Sequence, residues 1–467
     1  MDESNIANKK IMKPKCKKAN PRKQARLSNR LYLIASIYLT AAFSCFFPCA
    51  ARAQAAGAQE QALKIISLED CYKLARQQYP LIEQSDLIDK TRNYSVENAG
   101  RGYLPQVSFN GQGTYQSAVT AIPTDGLPKP FSNINFPVLP LEQYNVHGEV
   151  DQTIYDGGII KQTKLSDIAN ADIQKQNLEV QLYELKNRIN QIYFGILLAV
   201  EQIKQNEIMQ KDIQSAIDKT NELVHNGMAL SSSVSELEAE LMLQQQNELQ
   251  MQSSQKAYRD MLGVFINHKI DDATVFEIPA SVMPSDSIAR PELSFYDYEK
   301  KGYDVQEKLL NSGNRPKFTL FFQGGNALPG LDAFNITPAW YYITGVRLSW
   351  SLGGYYTLHN QKSMLEINKQ AADIQKQTFL FDTHITMKQQ SALISNLQAL
   401  IDKDNNIIAK RTQVKEAAYT QLQNGSITIH DYISELDSED AAKQTLLLHQ
   451  VQLLQAMYNY QNTTGNQ

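Results

Sequence analysis

Beyond residue 53 this sequence has a single cysteine, Cys71, so no internal disulfide can staple that part of the chain. The other three, Cys16, Cys45 and Cys49, fall in the N-terminal segment. Histidine is scarce and scattered, with no pair at a metal-ligand spacing such as i, i+4, so neither a metal site nor a cofactor is expected. After Ala53 no apolar run approaches eighteen residues, which excludes a transmembrane helix there and leaves strands or an amphipathic surface for any membrane role. Positive charge is also short: residues 54 to 467 carry 34 Lys and Arg against 47 Asp and Glu, a formal charge of about −13. No basic face remains to meet phosphates, and nucleic acid is not an expected partner.

Patterns of catalysis are missing as well. The glycine-rich run Gly324-Gly325-Asn326-Ala327-Leu328-Pro329-Gly330 lacks the Lys-Ser/Thr of a phosphate loop and reads as an extracellular turn. Ser231-Ser232-Ser233 lacks the glycines of a nucleophile elbow and is better placed as a helix cap. The chain reads as a non-enzyme.

The N-terminus has its own character. Ten Lys and Arg crowd Lys9 to Arg30, Leu31 to Ala51 is uncharged, and Ala51-Arg52-Ala53 offers small residues at the minus-three and minus-one positions. Residues 1–53 are therefore expected to be a cleaved secretory signal peptide.

Proline is absent from two very long stretches. Gly157-Gly158 opens one that runs to His225-Asn226-Gly227, and within it Leu178, Leu182, Leu185, Ile189, Ile192, Ile196, Ala199 and Ile203 recur at alternating spacings of four and three. That is the 3.5-residue period of a coiled coil, and a single helix over 159–225 would be roughly 100 Å long. Gly353-Gly354 opens the second stretch, which ends at Asn424-Gly425. Each Asn-Gly is followed by a Ser-Glu-Leu, Ser235-Glu236-Leu237 and Ser434-Glu435-Leu436. Ahead of each double glycine, Tyr103-Leu104-Pro105-Gln106-Val107-Ser108-Phe109 answers Asn314-Arg315-Pro316-Lys317-Phe318-Thr319-Leu320. The chain is an internal duplication with a period near two hundred residues. Residues 54–270 form the first repeat, 271–291 a bridge, and 292–467 the second repeat.

Between each proline and its double glycine the period changes to two. Strands are expected at 105–119 and 143–156, and again at 316–328 and 340–352, with apolar residues such as Val107, Phe109, Phe318, Leu320, Val346 and Leu348 alternating with polar ones. Aromatics gather near the strand ends at Trp340, Tyr341, Tyr342, Trp350, Tyr355 and Tyr356, which matches an outer-membrane β-barrel. Long helices are expected at 159–225 and 355–424, returning helices at 231–266 and 430–460, and a shorter helix at 293–310. Pro105 and Pro316 mark helix becoming strand; Gly157, Gly158, Gly353 and Gly354 mark strand becoming helix.

Four strands cannot close a barrel, and unpaired strand edges in hydrocarbon cost several kcal/mol per group. Three copies give twelve strands around a wet lumen, whereas two give eight and a filled interior. The expected fold class is therefore mainly α with transmembrane β: a trimeric twelve-stranded barrel, four strands per chain, continuous with a long α-helical barrel and built from two repeats.

On the segment Leu68-Glu69-Asp70-Cys71-Tyr72-Lys73-Leu74-Ala75 to Tyr79-Pro80, the two Pro-strand-loop-strand-Gly-Gly units and the two Asn-Gly hairpins, the sequence resembles the TolC-like outer-membrane efflux proteins over residues 63–463. Many of those have Asn-Pro where this chain has Tyr79-Pro80. The resemblance implies an exit duct in the outer membrane of a Gram-negative bacterium, with its helical barrel in the periplasm and an equatorial girdle made from the chain ends and the bridge. It implies a homotrimer in outer-membrane lipid, a periplasmic membrane-fusion adaptor, and an inner-membrane pump of RND or ABC type. Adaptor contact is expected at the hairpin tips: His225, Asn226, Gly227, Ser235 and Leu237, and Asn424, Gly425, His430, Ser434 and Leu436. A periplasmic aperture is expected among Asp402, Asp404, Lys410, Arg411 and Glu416. The rival reading is a secreted coiled-coil scaffold or adhesion stalk, which would use the heptads but would not need the strands or double glycines.

Overall fold

The computed structural model describes residues 65–119, 137–281, 285–332 and 335–466. The expected signal peptide and most of the proline-rich loop after Val119 lie outside the described residues. The chain begins with β1 (Ile65–Ile66) and α1 (Leu68–Gln78). Ser67 and Asp70 cap α1 reciprocally, the capping box that their spacing predicts. A 3₁₀ turn at Pro80–Ile82 leads into α2 (Glu83–Gly100). Gly100 stays helical, and the change of direction falls one turn later, in a 3₁₀ segment at Arg101–Tyr103.

The strands follow the two prolines. β2 (Gln106–Tyr115) and β3 (Glu142–Tyr155) come from the first repeat, β5 (Lys317–Leu328) and β6 (Ala339–Ser349) from the second. They form one antiparallel sheet in the order β2-β3-β5-β6. Register places Val107 beside Val150 and Phe322, and Leu320 beside Val346, so one face is mostly apolar, interrupted by Gln152, Asn326 and Thr344. Among the described residues nothing covers that face: Val107 is 77% and Phe109 80% exposed. The ladder shifts between Thr153 and Tyr155, a bulge that turns Tyr155 onto the apolar face beside Phe318.

The helices make a curved wall in two tiers. Near the sheet, α2 packs on α3 (Ile159–Tyr183), α3 on α6 (Pro291–Gly313), and α6 on α7 (Gly354–Gln423). Farther away, α7 packs on α8 (Ile429–Thr464), α8 on α4 (Leu185–His225), and α4 on α5 (Ser231–Ile266). α7 runs through both tiers without a break, its 70 residues spanning about 105 Å. The corresponding helix of the first repeat does not: it divides at Glu184 into α3 and α4. A straight helix drifts about 20° per heptad from a 3.5-residue seam. The interruption lies inside that seam, with Leu178, Leu182, Leu185 and Ile189 buried on either side of it. Glu184 itself turns outward to the guanidinium of Arg290.

An equatorial clasp joins the tiers. β1 pairs in parallel with β4 (Val275–Phe276) of the bridge. The Tyr193 hydroxyl, fully buried, faces the carbonyl oxygens of Ile66 at 3.0 Å and Glu277 at 2.7 Å. Cys71 is free and buried against this clasp, and burial pushes its thiol up to about 12. Among the described residues no helix is long and apolar enough to cross a membrane.

Candidate functional site

Two hairpin tips lie at the end of the wall. Each long helix stops in the same way: the Gly227 N–H donates to the Val224 carbonyl and that of Met228 to Leu223, while Gly425 donates to Leu422 and Ser426 to Gln421. This is the Schellman pattern, which requires a left-handed residue after the cap. Only the glycines adopt it, with φ of 71° at Gly227 and 69° at Gly425; Asn226 and Asn424 keep negative φ. The returning helices start differently. Thr428 and Asp431 form a capping box on α8, whereas α5 begins after Leu230 with no side-chain cap, so Ser231-Ser232-Ser233 occupies its first turn.

The tips leave a groove of about 810 Å³ between the two hairpins, floored by Leu223, Met228, Leu230, Leu422 and Ile427. Leu230 is 72% exposed there. His225, Asn226, Gly227, Ser235, Asn424, Gly425, His430 and Ser434 are all exposed. Leu237 and Leu436 are not. They are fully buried in a core with Ile213, Ile433 and Tyr432 that holds the hairpins together. His430 Nδ1 lies 3.2 Å from Glu236 Oε1, a contact across the hairpins.

One turn above that core sits a charge network that no sequence pattern singles out. Lys415 of α7 reaches Asp212 of α4 at 3.1 Å and Glu439 of α8 at 2.8 Å. Glu439, 2% exposed, also receives Lys443 at 3.1 Å and the Thr412 hydroxyl at 2.6 Å. Burial works to raise its carboxyl, and the three donors outweigh it, so Glu439 is held below its ordinary range. Of the residues expected at an aperture, Arg411 pairs with Glu435 at 3.3 Å, and Asp402, Lys410 and Glu416 are exposed. Asp404 is buried, and its carboxylate lies 2.6 Å from His449 Nδ1 between α7 and α8.

At the opposite end, the two strand-to-helix junctions solve one problem in two ways. Gly157 and Gly158 have φ of 77° and 91°, and Asp156 accepts from the N–H groups of Gly158 and Ile160 at 2.8 and 2.6 Å, capping α3. Gly353 has φ of −60° and Gly354 no positive φ, so unusual dihedrals are not why the second pair is glycine. Proximity explains Gly354: a Cβ there would fall 1.9 Å from Asn314 Oδ1. The Asn314 carbonyl accepts from both Trp350 Nε1 and the Tyr355 hydroxyl at 3.0 Å, which fixes the junction from the sheet side. Pro105 and Pro316 stand one residue before β2 and β5.

The polar face of the sheet carries Ser108, Asn110, Asn145, His147 and Gln323. Arg347 also lies there, paired with Glu149 at 2.7 Å and Asp151 at 3.3 Å.

The chain is thus a four-stranded sheet from two repeats, fused through Gly-Gly junctions to a two-tier helical wall with two hairpin tips. Solved structures share this fold. CusC, described by its conformational changes on folding and transmembrane channel formation, superposes with a TM-score of 0.63 at 12% identity, over 86% of this chain and 92% of that one. The outer membrane protein VceC of Vibrio cholerae gives 0.59 at 16% identity, over 85% and 96%. The open state of the MtrE outer membrane channel of Neisseria gonorrhoeae gives 0.58 at 13% identity, over 85% and 89%. No protein-family profile and no curated protein sequence matches the chain. The similarity that the sequence motifs imply is therefore borne out in the fold.

Proposed function

We propose that this chain is one third of a trimeric outer-membrane exit duct. It would serve a tripartite efflux or type I secretion assembly, passively conducting substrates delivered by an inner-membrane pump and a periplasmic adaptor. The observation that carries this reading is the sheet. One face is apolar and uncovered, and both outer strands, β2 and β6, have one edge unpaired in the single chain. In hydrocarbon those backbone groups must find partners, and three copies joined edge to edge supply them.

Aromatic residues support the membrane setting. On β3, Tyr144 and Tyr155 stand eleven residues apart, about 37 Å along the strand and about 28 Å in height at the usual tilt, close to a bilayer's apolar thickness. Trp340 and Tyr342 extend one row, Trp350 and Tyr356 the other, and all four are exposed. The polar face then lines a wet lumen, the helical wall stands in the periplasm, and the groove between the hairpin tips is the surface offered to the adaptor. A scaffold or stalk would have no use for an uncovered apolar sheet.

The test is single-channel conductance of the detergent-purified protein in planar bilayers, with its mass measured on the same sample. A trimer that conducts in discrete steps is expected. Protein that stays soluble and monomeric without detergent and never conducts would overturn the reading.

A further inference from the structure

Among the described residues, the four strands of the sheet hold few charges: Glu142, Glu149, Asp151, Lys317 and Arg347. Glu142 pairs with Tyr115 and falls on the apolar face, while Lys317, opposite Ser349, starts β5 on the polar face one step nearer the helix junction than Arg347. Between Lys317 and the far end of the strands the polar face has two carboxylates and one guanidinium, and they are in contact. Arg347 Nη2 lies 2.7 Å from Glu149 Oε1, and Nη1 lies 3.3 Å from Asp151 Oδ1. The guanidinium also sits 4.7 Å from the Phe321 ring centroid. In the ladder, Thr153, Thr319 and Arg347 are neighbours across three strands, so Arg347 reaches diagonally over Phe321 to acids on the strand beyond. The pairing spans three strands and two repeats.

Exposure divides the roles. The side chain of Arg347 is 49% exposed, that of Asp151 32%, and that of Glu149 16%. Two carboxylates against one cation leave this cluster one net negative charge per chain, with Lys317 outside it on the junction side. We infer that Glu149, Asp151 and Arg347 set the ion selectivity of the duct, as a cation-preferring ring whose strength Arg347 limits. This inference rests on the proposed trimer, in which the polar face lines the lumen. Three chains bring three net negative charges to one height. Removing the guanidinium doubles that charge, whereas removing the carboxylates reverses its sign.

The size of the effect follows from screening. A unit charge about 10 Å from a permeating ion in salt water, at a Debye length of about 8 to 10 Å, is weakened about threefold by screening. Three acting together favour cations and disfavour anions by about twofold each, so the ratio of cation to anion permeability changes about fourfold. A long side chain held by two acids and an aromatic face adds little flexibility of its own, so the ring is a fixed feature of the wall.

The experiment is the reversal potential of reconstituted channels in a potassium chloride gradient. Arg347→Gln is expected to raise the potassium-to-chloride permeability ratio about fourfold over the parent protein. Glu149→Gln combined with Asp151→Asn is expected to turn the preference toward chloride, and Arg347→Lys, which keeps the charge, to leave it near the parent value. Should Arg347→Gln not assemble, the carboxylate double variant still decides the matter. Conducting channels with equal reversal potentials in parent and variants would overturn the inference while leaving the duct intact. No conductance from the parent protein would overturn the duct itself.

Discussion

Lys415 and Asp212, separated by 203 positions in the chain, meet at 3.1 Å and join the two hairpins below the equator. The same ammonium holds Glu439. The pair thus links the long helix of one repeat to the long helix of the other, and Glu439, almost wholly out of water, ties the same ammonium to the returning helix α8.

Lys415→Met leaves Glu439 with only Lys443 and Thr412 as partners. The expected cost is about 1–3 kcal/mol, read as a lower thermal midpoint in detergent. Asp212→Asn alone should cost less, because Asp212 is more exposed. The double variant should cost less than the sum of the two; strict additivity would mean that the contact contributes nothing.

The two double glycines predict opposite responses to alanine. Gly157→Ala puts a Cβ 2.8 Å from the Ser312 carbonyl oxygen at a φ of 77°, and should cost about 2–3 kcal/mol. Gly353→Ala meets open space at a φ of −60°, and should be neutral or stabilising by up to about 1 kcal/mol. Comparable losses from both would contradict the geometry of the first junction. Thermal unfolding of the two variants side by side is sufficient.

Asp437 gives a dependence on pH. Burial, with Glu240 of α5 and Asp440 of its own helix nearby, pushes its carboxyl up to about 6. A raised carboxyl favours the protonated folded form. Its stabilising share is complete below the ordinary value near 4 and is lost as pH rises through 6. Asp437→Asn mimics the protonated state, so the variant should melt above the parent protein at pH 7.5 and level with it at pH 4. A constant difference between the two at both pH values would rule out the titration.

On α7, Ile367, Ile374 and Phe381 recur at seven-residue spacing with exposures of 62–65%, an apolar stripe without cover in the chain. In the proposed trimer a neighbouring copy covers it, each side chain contributing about 2 kcal/mol. Ile374→Glu with Phe381→Glu should reduce the mass in detergent from three chains to one, measured by light scattering. An undisturbed trimer would place the contact elsewhere.

Much of this architecture could be read from residue patterns because period is a local property. The seam from Leu178 to Ala199 is buried as its spacing predicts, and the switch to period two at Val107 and Phe318 marks strands. Glycine and proline placed the junctions within a residue. Where a rule has exceptions, pattern was insufficient: alternation puts Tyr155 on the polar face, and only the bulge moves it. Glu184 lies within an uninterrupted heptad seam, so nothing local marked the break.

The candidate site was legible only in outline. Asn-Gly located the tips, but Leu237 and Leu436 proved to be core, because Ser-Glu-Leu places every third residue inward on a returning helix. In the sequence Lys415 is one charge among many on a long polar helix. Its meaning depends on Asp212 and Glu439, and no spacing within α7 encodes partners on α4 and α8. The pairing of His449 with Asp404 is hidden in the sequence for the same reason.

The two-residue pairing of Ile65 and Ile66 with Val275 and Phe276 has a consequence in time. During synthesis the first strand emerges about two hundred residues before its partner, and Tyr193 cannot be roofed until Glu277 arrives. The opening segment must therefore wait, unpaired, while the whole first repeat is delivered. Closing so distant a contact is slow compared with forming helices, which makes the clasp a late step in maturation rather than a nucleus. A chain halted before Phe276 would have its first hairpin but no fastened equator.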